Sequence, residues 1–161
     1  MTIKAGERVP SMTLKVLGED GGPKDIATDA VFKGKKVVLF ALPGAFTRTC
    51  SAKHLPGFVA NADAIRAKGV DTIACLSVND AFVMGAWGHM QGAGGKVLML
   101  ADGNADFTSA IGMDIDRRGA GMGTRSKRYA MIVEDGVVTR VDEEPDGAYG
   151  VSSAEAVLAA L

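Results

Sequence analysis

The stretch VVLFALPGAFTRTCSAKHLPGF, Val37–Phe58, holds a predicted strand, a turn and the start of a predicted helix in immediate succession. Its first part, Val37–Leu42, is a continuous apolar run that opens with two β-branched valines, a pattern typical of a buried strand. A Pro-Gly pair ends this run. From Ser51 to Lys68, apolar residues recur at helical spacing until a glycine, which predicts an amphipathic helix. Cys50 therefore lies where a helix begins.

Outside this stretch, strands and helices continue to alternate. The predicted elements are a surface hairpin from Met12 through the turn GEDGG, a strand Val70–Val78, a helix capped by Asn79-Asp80 and running to Met90, a strand Val97–Ala101, a short helix Ala105–Ile111, a hairpin Tyr129–Val141 turning at Asp135-Gly136, and a last helix capped by Ser152 or Ser153. Alternating strands and helices imply parallel pairing with right-handed crossovers. The order predicts an α/β, thioredoxin-like fold: a central mixed sheet flanked by helices, with an N-terminal β-hairpin extension.

Length and composition narrow the possible classes of protein. A chain of 161 residues is expected to form one domain, 1–161. Its formal charge is −1, so no broad basic face is expected and nucleic acid is not an expected partner. No segment has the length of an apolar membrane span and the N-terminus does not read as a secretory signal, which predicts a cytoplasmic protein without membrane contact. Two cysteines do not make a disulfide framework.

The position of Cys50 favours reactivity. In open α/β sheets, sites gather beyond the carboxyl ends of the strands, and unsatisfied N–H groups of a first helical turn favour a thiolate, the nucleophilic form. Thr47 supplies a hydroxyl beside the sulfur, and Pro43 supplies a rigid turn that can keep water away. Arg48 adds positive charge nearby, and Arg128 can do so only if the fold brings it close.

Cys50 also has a purely structural interpretation, because free cysteines are commonly buried as small apolar residues. The polar residues around it, Thr47 to Ser51, argue against burial in an apolar core. On this local context the sequence favours a functional cysteine.

The same residues carry a family resemblance. The segment PGAFTRTC, Pro43–Cys50, resembles the P-x-x-x-T-x-x-C signature of peroxiredoxins. Together with CLSVNDAFVMGAW and KRYAMIVEDG, the segment GAFTRTCSAKHLPGF resembles the type II, or fifth-class, branch of that family over nearly the whole chain. The resemblance implies a thioredoxin fold and a thiol peroxidase that reduces hydrogen peroxide and alkyl hydroperoxides.

The resemblance also implies residue roles. Cys50 would be the peroxidatic cysteine, which attacks the terminal oxygen of the hydroperoxide and becomes a sulfenic acid. Thr47 would hydrogen-bond the peroxide, Arg128 would stabilise thiolate and transition state, and Pro43 would shield the pocket. Fixed donors aimed at developing charge are consistent with cleavage of an O–O bond, and this chemistry requires no metal or organic cofactor. Relatives in the branch form homodimers, so a homodimer is expected.

Two departures from the branch pattern bear on the mechanism. Arg48 stands where proline is usual. The C-terminal segment DGAYGVSSAEAV offers Ser152 or Ser153 where two-cysteine members carry a resolving cysteine. Cys75 lies inside a predicted apolar strand, where a buried structural role is favoured over resolution. Regeneration is therefore expected from an external thiol: glutathione, glutaredoxin or thioredoxin, with the glutathione and glutaredoxin route suggested by similar relatives.

Other interpretations stay open at the level of sequence. His54 follows Cys50 by four residues, so the pair can be read as nucleophile and base or as two zinc ligands, although a packing histidine is favoured. The glycine-rich stretch RRGAGMGTRSKR is expected to be a flexible loop ahead of a strand bearing Arg128. The alternative function is a non-enzymatic, redox-responsive binding protein switched by oxidation of Cys50. Dithiol exchange is disfavoured, because Thr47 occupies the first position of a C-x-x-C motif.

Overall fold

A seven-stranded mixed sheet organises the chain in the computed structural model, which describes residues Met1–Leu161. The strands are β1 Thr13–Leu17, β2 Pro23–Ala27, β3 Lys36–Ala41, β4 Thr72–Ser77, β5 Leu98–Ala101, β6 Asp114–Asp116, β7 Thr124–Ser126, β8 Tyr129–Glu134 and β9 Val137–Glu143. The helices are α1 Thr28–Phe32, α2 Leu55–Ala67, α3 Ala81–Met90, α4 Asp106–Ala110 and α5 Ala154–Ala160. A π-helical turn, Cys50–His54, leads into α2, and a 3₁₀ turn covers Arg118–Ala120.

The strand order in the sheet is β2-β1-β5-β4-β3-β8-β9. The central strands β3, β4 and β5 are parallel, whereas β8 and β9 extend the sheet antiparallel on one side and β1 and β2 on the other. This arrangement confirms the predicted thioredoxin-like fold with its N-terminal hairpin. It also puts β3, which leads to Cys50, in the interior of the sheet.

Strand β3 has buried side chains on both faces of the sheet, and both faces are therefore covered by helices. All but its first residue are buried, and successive side chains point to opposite faces. Val38 and Phe40 enter a core that includes side chains of α2, α3 and α5. Val37 and Leu39 enter a second core that includes side chains of α1 and α4. A strand buried on both sides reads as an unbroken apolar run, which is the pattern that its sequence shows.

The structure differs from the sequence predictions at two places. The helix α1 was not expected, because a five-residue element has too few turns to display an apolar period. The glycine-rich stretch 117–128, predicted as a loop, contains the 3₁₀ turn and β7, which pairs with β6 just ahead of the stretch. Arg128 immediately precedes β8 rather than lying within a strand. The predicted caps hold: Asp80 accepts a hydrogen bond from the Val83 amide, and Ser153 accepts one from the Ala156 amide. None of the helices combines the length and the hydropathy needed to cross a bilayer.

Candidate active site

The helix that starts after the Pro43–Gly44 turn begins with a wide turn. Arg48 and Thr49 are already helical, and the Leu55 amide then donates to the Cys50 carbonyl, five residues back, in place of the usual four. One extra residue is thereby accommodated in the first turns. Cys50 and His54 are four residues apart, so their side chains lie on the same side of this segment, and both are 0% exposed.

Arg128 joins these two side chains. Its Nη2 donates to the Cys50 Sγ at 3.2 Å, and its Nη1 lies 2.7 Å from the His54 Nδ1. A guanidinium has only donors, so Nδ1 of the imidazole must be the acceptor. The planar fork of the arginine is therefore fixed between a sulfur and an imidazole, with the positive charge directed at the sulfur.

The surroundings of His54 keep its imidazole neutral. Burial lowers the pKa of His54 from 6.5 to about 3, with a further contribution from the nearby Arg128 guanidinium. Since Nδ1 accepts from Arg128, Nε2 carries the proton and donates to the Ser152 carbonyl at 2.9 Å. The ring packs among Phe40, Phe58 and Tyr149. His54 is thus a core histidine, as its sequence context favoured, and it also holds the arginine that contacts Cys50.

Glu144 fixes the C-terminal loop behind this histidine. Its Oε2 accepts hydrogen bonds from the Gly150 amide at 2.6 Å, the Ser152 amide at 2.9 Å and the Ser152 hydroxyl at 2.7 Å. Burial alone would raise the pKa of Glu144, but these hydrogen bonds outweigh it and lower the pKa. The Glu144 amide also donates to the Arg128 carbonyl at 2.9 Å. Glu144 therefore connects the backbone of Arg128 to the loop whose Ser152 carbonyl accepts the hydrogen bond from His54.

The turn before the helix is held by a second arginine. The Thr47 hydroxyl donates to the Gly44 carbonyl at 2.7 Å, which leaves its oxygen free to accept. Arg125 donates from Nη1 to the Pro43 carbonyl at 3.1 Å and from Nε to the Met122 carbonyl at 2.9 Å. Sequence reasoning missed Arg125, because nothing local in RRGAGMGTRSKR distinguishes it from the other basic residues. It fixes the position of Pro43.

The expected exposure of Cys50 is wrong. Its polar neighbours were expected to keep it out of the apolar core, but the sulfur belongs to the same core as Phe40 and Phe58. The polar side chains of a first helical turn point outward while the cysteine points inward, because neighbours on a helix do not share a face. The sulfur is thus shielded from water, like that of other buried cysteines. Its contact with the Arg128 guanidinium distinguishes it from them.

The remaining candidates behave as structural residues. Cys75 lies within β4, is fully buried, and forms no disulfide with Cys50. Burial, followed by the proximity of Cys50, raises the pKa of the Cys75 thiol. The zinc interpretation of Cys50 and His54 finds no support, since no group of three potential metal-ligating side chains occurs in the structure. Arg48 is exposed and takes part in none of the ion pairs of the structure.

Comparison with known proteins agrees with this geometry. Residues 4–158 match the Redoxin family model. The chain is 48% identical over 163 residues to peroxiredoxin-2E, chloroplastic, of Arabidopsis thaliana, covering 99% of this chain and 70% of the relative. It is 42% identical over 159 residues to Arabidopsis peroxiredoxin-2B, covering 99% and 98%.

A solved structure extends the similarity to three dimensions. The crystal structure of reduced Prx3 from Vibrio vulnificus in complex with hydrogen peroxide superposes with a TM-score of 0.94 at 52% identity, covering 99% of each chain. Similarity of this extent spans both the helix that begins at Cys50 and the loop that carries Arg128. The chain therefore belongs to the redoxin family and is a peroxiredoxin, a thiol-dependent peroxidase that reduces hydroperoxides through a peroxidatic cysteine.

Proposed function

We propose that Cys50 is the peroxidatic cysteine of this peroxidase. The observation that carries the assignment is the 3.2 Å contact between the Arg128 Nη2 and the Cys50 Sγ. The thiolate attacks the terminal oxygen of the hydroperoxide, the O–O bond breaks, and an S–O bond forms. The sulfur is oxidised to sulfenic acid, and the departing oxygen takes a proton and leaves as water or an alcohol.

The neighbouring residues take their roles from their hydrogen bonds. Arg128 stabilises the thiolate and the negative charge that develops on the two oxygens, and it needs no reorganisation because His54 already holds it. Thr47, whose proton is engaged by Gly44, accepts a hydrogen bond from the hydroperoxide. Pro43 forms the wall of the pocket and is held in place by Arg125.

Regeneration by an external thiol follows from the cysteine content. Cys75, the second of the two cysteines, is buried in a strand and so poorly placed to resolve a sulfenic acid. We assign the chain to the type II branch, with glutathione and glutaredoxin as the reductants and thioredoxin as the competing candidate. Peroxide removal with glutathione plus glutaredoxin, set against thioredoxin plus its reductase, decides between them.

A homodimer and a cytoplasmic location complete the proposal. The exposed side chains of Phe46 and Met90, 51% and 74% accessible, support association of two copies on the side of the site. Two free thiols support a reducing compartment.

The assignment of Cys50 is tested by two matched serine variants. Cys50→Ser should abolish peroxide consumption, because the nucleophile is lost, whereas Cys75→Ser should leave turnover largely intact. Loss of turnover in Cys75→Ser together with retention in Cys50→Ser would contradict the assignment. Sedimentation and circular dichroism of both variants control for folding.

Arg128 is tested at the oxidation step. The Trp87 Nε1 donates to the Ser51 hydroxyl at 3.0 Å, so tryptophan fluorescence reports on the turn that carries Cys50. Arg128→Ala should slow the fluorescence change after mixing with hydrogen peroxide by about 100-fold, the usual cost of removing a donor to developing charge. An unchanged rate would remove Arg128 from the mechanism.

A further inference from the structure

A cleft beside the site is lined by Pro43, Thr49 and Arg128 together with residues 143–148. We propose that this cleft binds a small zwitterionic thiol of the glutathione type, which reduces the sulfenic acid formed at Cys50. The inference rests on the proposed function and assigns a site to its reductant.

The location of the cleft fits a reductant of Cys50. It shares Arg128 with the catalytic group, and the guanidinium that lines it is one hydrogen bond, 3.2 Å, from the Cys50 sulfur. Thr49 precedes Cys50 directly. The volume of about 310 Å³ lies at the lower end of the range for small-molecule sites. A second cavity of about 330 Å³ includes Arg8 and Phe32 and contains none of the residues around the sulfur.

The charges in the cleft select a zwitterion. Three cationic side chains line it, matched by three carboxylates. The Oε2 of Glu144 already accepts from the Gly150 and Ser152 donors. The other two carboxylates form ion pairs within the cleft: Arg117 with Asp146 at 2.7 Å, and Lys127 with Glu143 at 3.6 Å.

Both pairs are partly exposed, and pairs of that kind contribute little to stability. Each cation can therefore exchange its carboxylate partner for a carboxylate of the ligand, and each carboxylate can exchange its cation for an ammonium group of the ligand. An α-amino acid end presents a carboxylate for the cations and an ammonium for the carboxylates, and a second carboxylate at the other end of a tripeptide finds a further cation. A polyanion would meet as many carboxylates as cations, so the balance of charge disfavours it.

The reaction in the cleft balances without another oxidant. The thiolate of the bound thiol attacks the Cys50 sulfenic sulfur, an S–S bond forms, the S–O bond breaks, and the oxygen leaves as hydroxide that is protonated to water. A second thiol attacks the mixed disulfide, which releases the oxidised thiol dimer and restores the Cys50 thiolate. Two thiols are oxidised, and one hydroperoxide is reduced per cycle.

The test compares glutathione with an uncharged thiol. The protein is oxidised with one equivalent of hydrogen peroxide and mixed with glutathione or with 2-mercaptoethanol, and the return of the reduced fluorescence is followed. Arg117→Gln and Asp146→Asn should each lower the ratio of the glutathione rate to the 2-mercaptoethanol rate by about fivefold, the scale of one surface ionic contact. Arg118→Gln is the matched control, since Arg118 neighbours Arg117 in the chain but does not line the cleft; its ratio should equal that of the wild type.

The outcomes separate the two levels of the proposal. Three results would overturn the cleft site. The ratio could be unchanged in both cleft variants, or it could fall equally in Arg118→Gln. The wild-type ratio could also be no higher than the ratio of the intrinsic reactivities of the two thiols. Peroxide consumption that persists in Cys50→Ser overturns the proposed function instead, whatever the cleft variants show.

Discussion

At the scale of single residues, the orientation of Arg128 depends on a histidine that cannot easily accept a proton. A protonated imidazole at position 54 would face the Arg128 guanidinium with a like charge at 2.7 Å. Burial prevents this by lowering the pKa of His54 to about 3. The buried apolar rings around the imidazole therefore contribute to the site indirectly, since they keep it an acceptor over the physiological range.

The low pKa of His54 predicts a loss of stability in acid. Below pH 6.5 His54 takes up a proton in the unfolded chain but not in the folded chain. The contribution of neutral His54 to the free energy of unfolding is therefore complete above pH 6.5 and is lost as the pH falls towards about 3. Between pH 7 and pH 4.5 His54 should remove about 2 to 3 kcal/mol from the free energy of unfolding. Urea titrations at both pH values should show this loss in the wild type and a smaller loss in His54→Gln. The exposed His89 gives the control variant His89→Gln, and an identical pH dependence in all three proteins would contradict the prediction.

Gly44 is required for the position of Arg125. A Cβ at Gly44 would overlap the Arg125 guanidinium, which donates to the Pro43 carbonyl. Gly44→Ala should therefore displace the arginine and the Pro43 turn, and slow oxidation by hydrogen peroxide about tenfold, since small misplacements at a reacting centre have large effects. Stopped-flow fluorescence measures the rate. Gly119→Ala is the matched control because a Cβ there meets nothing; equal rates in the two variants would count against the prediction.

At the scale of elements, the π-helical turn Cys50–His54 sets which side chains face Arg128. An ordinary α-helix advances by about 100° per residue, so one residue more in a regular helix would change the direction of everything before it by that angle. The wide turn takes up the extra residue, so that Cys50 contacts Arg128 while α2 keeps its own apolar face on the sheet. The turn is a feature of the site rather than an irregularity of the helix.

At the scale of the whole molecule, the sheet brings together segments that are distant in sequence. The β3–β8 pairing puts the end of β3 beside the start of β8, with Ala41 opposite Tyr129. The turn after β3 leads to Cys50, and Arg128 directly precedes β8, so one antiparallel pairing sets the two within hydrogen-bond distance.

The proposed homodimer belongs to the same scale. The ring of Phe46 lies 6.4 Å from that of the buried Trp87, and the exposed Met90 follows one helical turn later. Met90→Glu should shift the sedimentation coefficient towards that of a monomer, since a charge on an apolar contact opposes association. Val151→Glu, which charges an exposed apolar position elsewhere, is the control. A wild-type protein that sediments as a monomer at high micromolar concentration would contradict the proposal.

The order of the elements could be read from the sequence because its signals are local. The unbroken apolar run of β3, the Asp80 cap and the Asp135-Gly136 turn each act over a few residues, and the structure confirms all three. Short elements escaped prediction for the same reason, since α1 and the β6–β7 pair are too brief to display a period. The position of Cys50 at the start of a helix was also set locally.

Only the tertiary structure decided what surrounds that cysteine. Arg128 is separated from Cys50 by 78 residues and from His54 by 74, and Arg125 from Pro43 by 82. No local pattern encodes such pairs, because strand pairing and packing around a shared core create them. The burial of Cys50 is likewise a product of packing, since its neighbours in the chain are polar and its neighbours in space are not. Sequence alone thus determined where the reactive residue stands, and the fold determined the charge and the dry surroundings that bear on its sulfur.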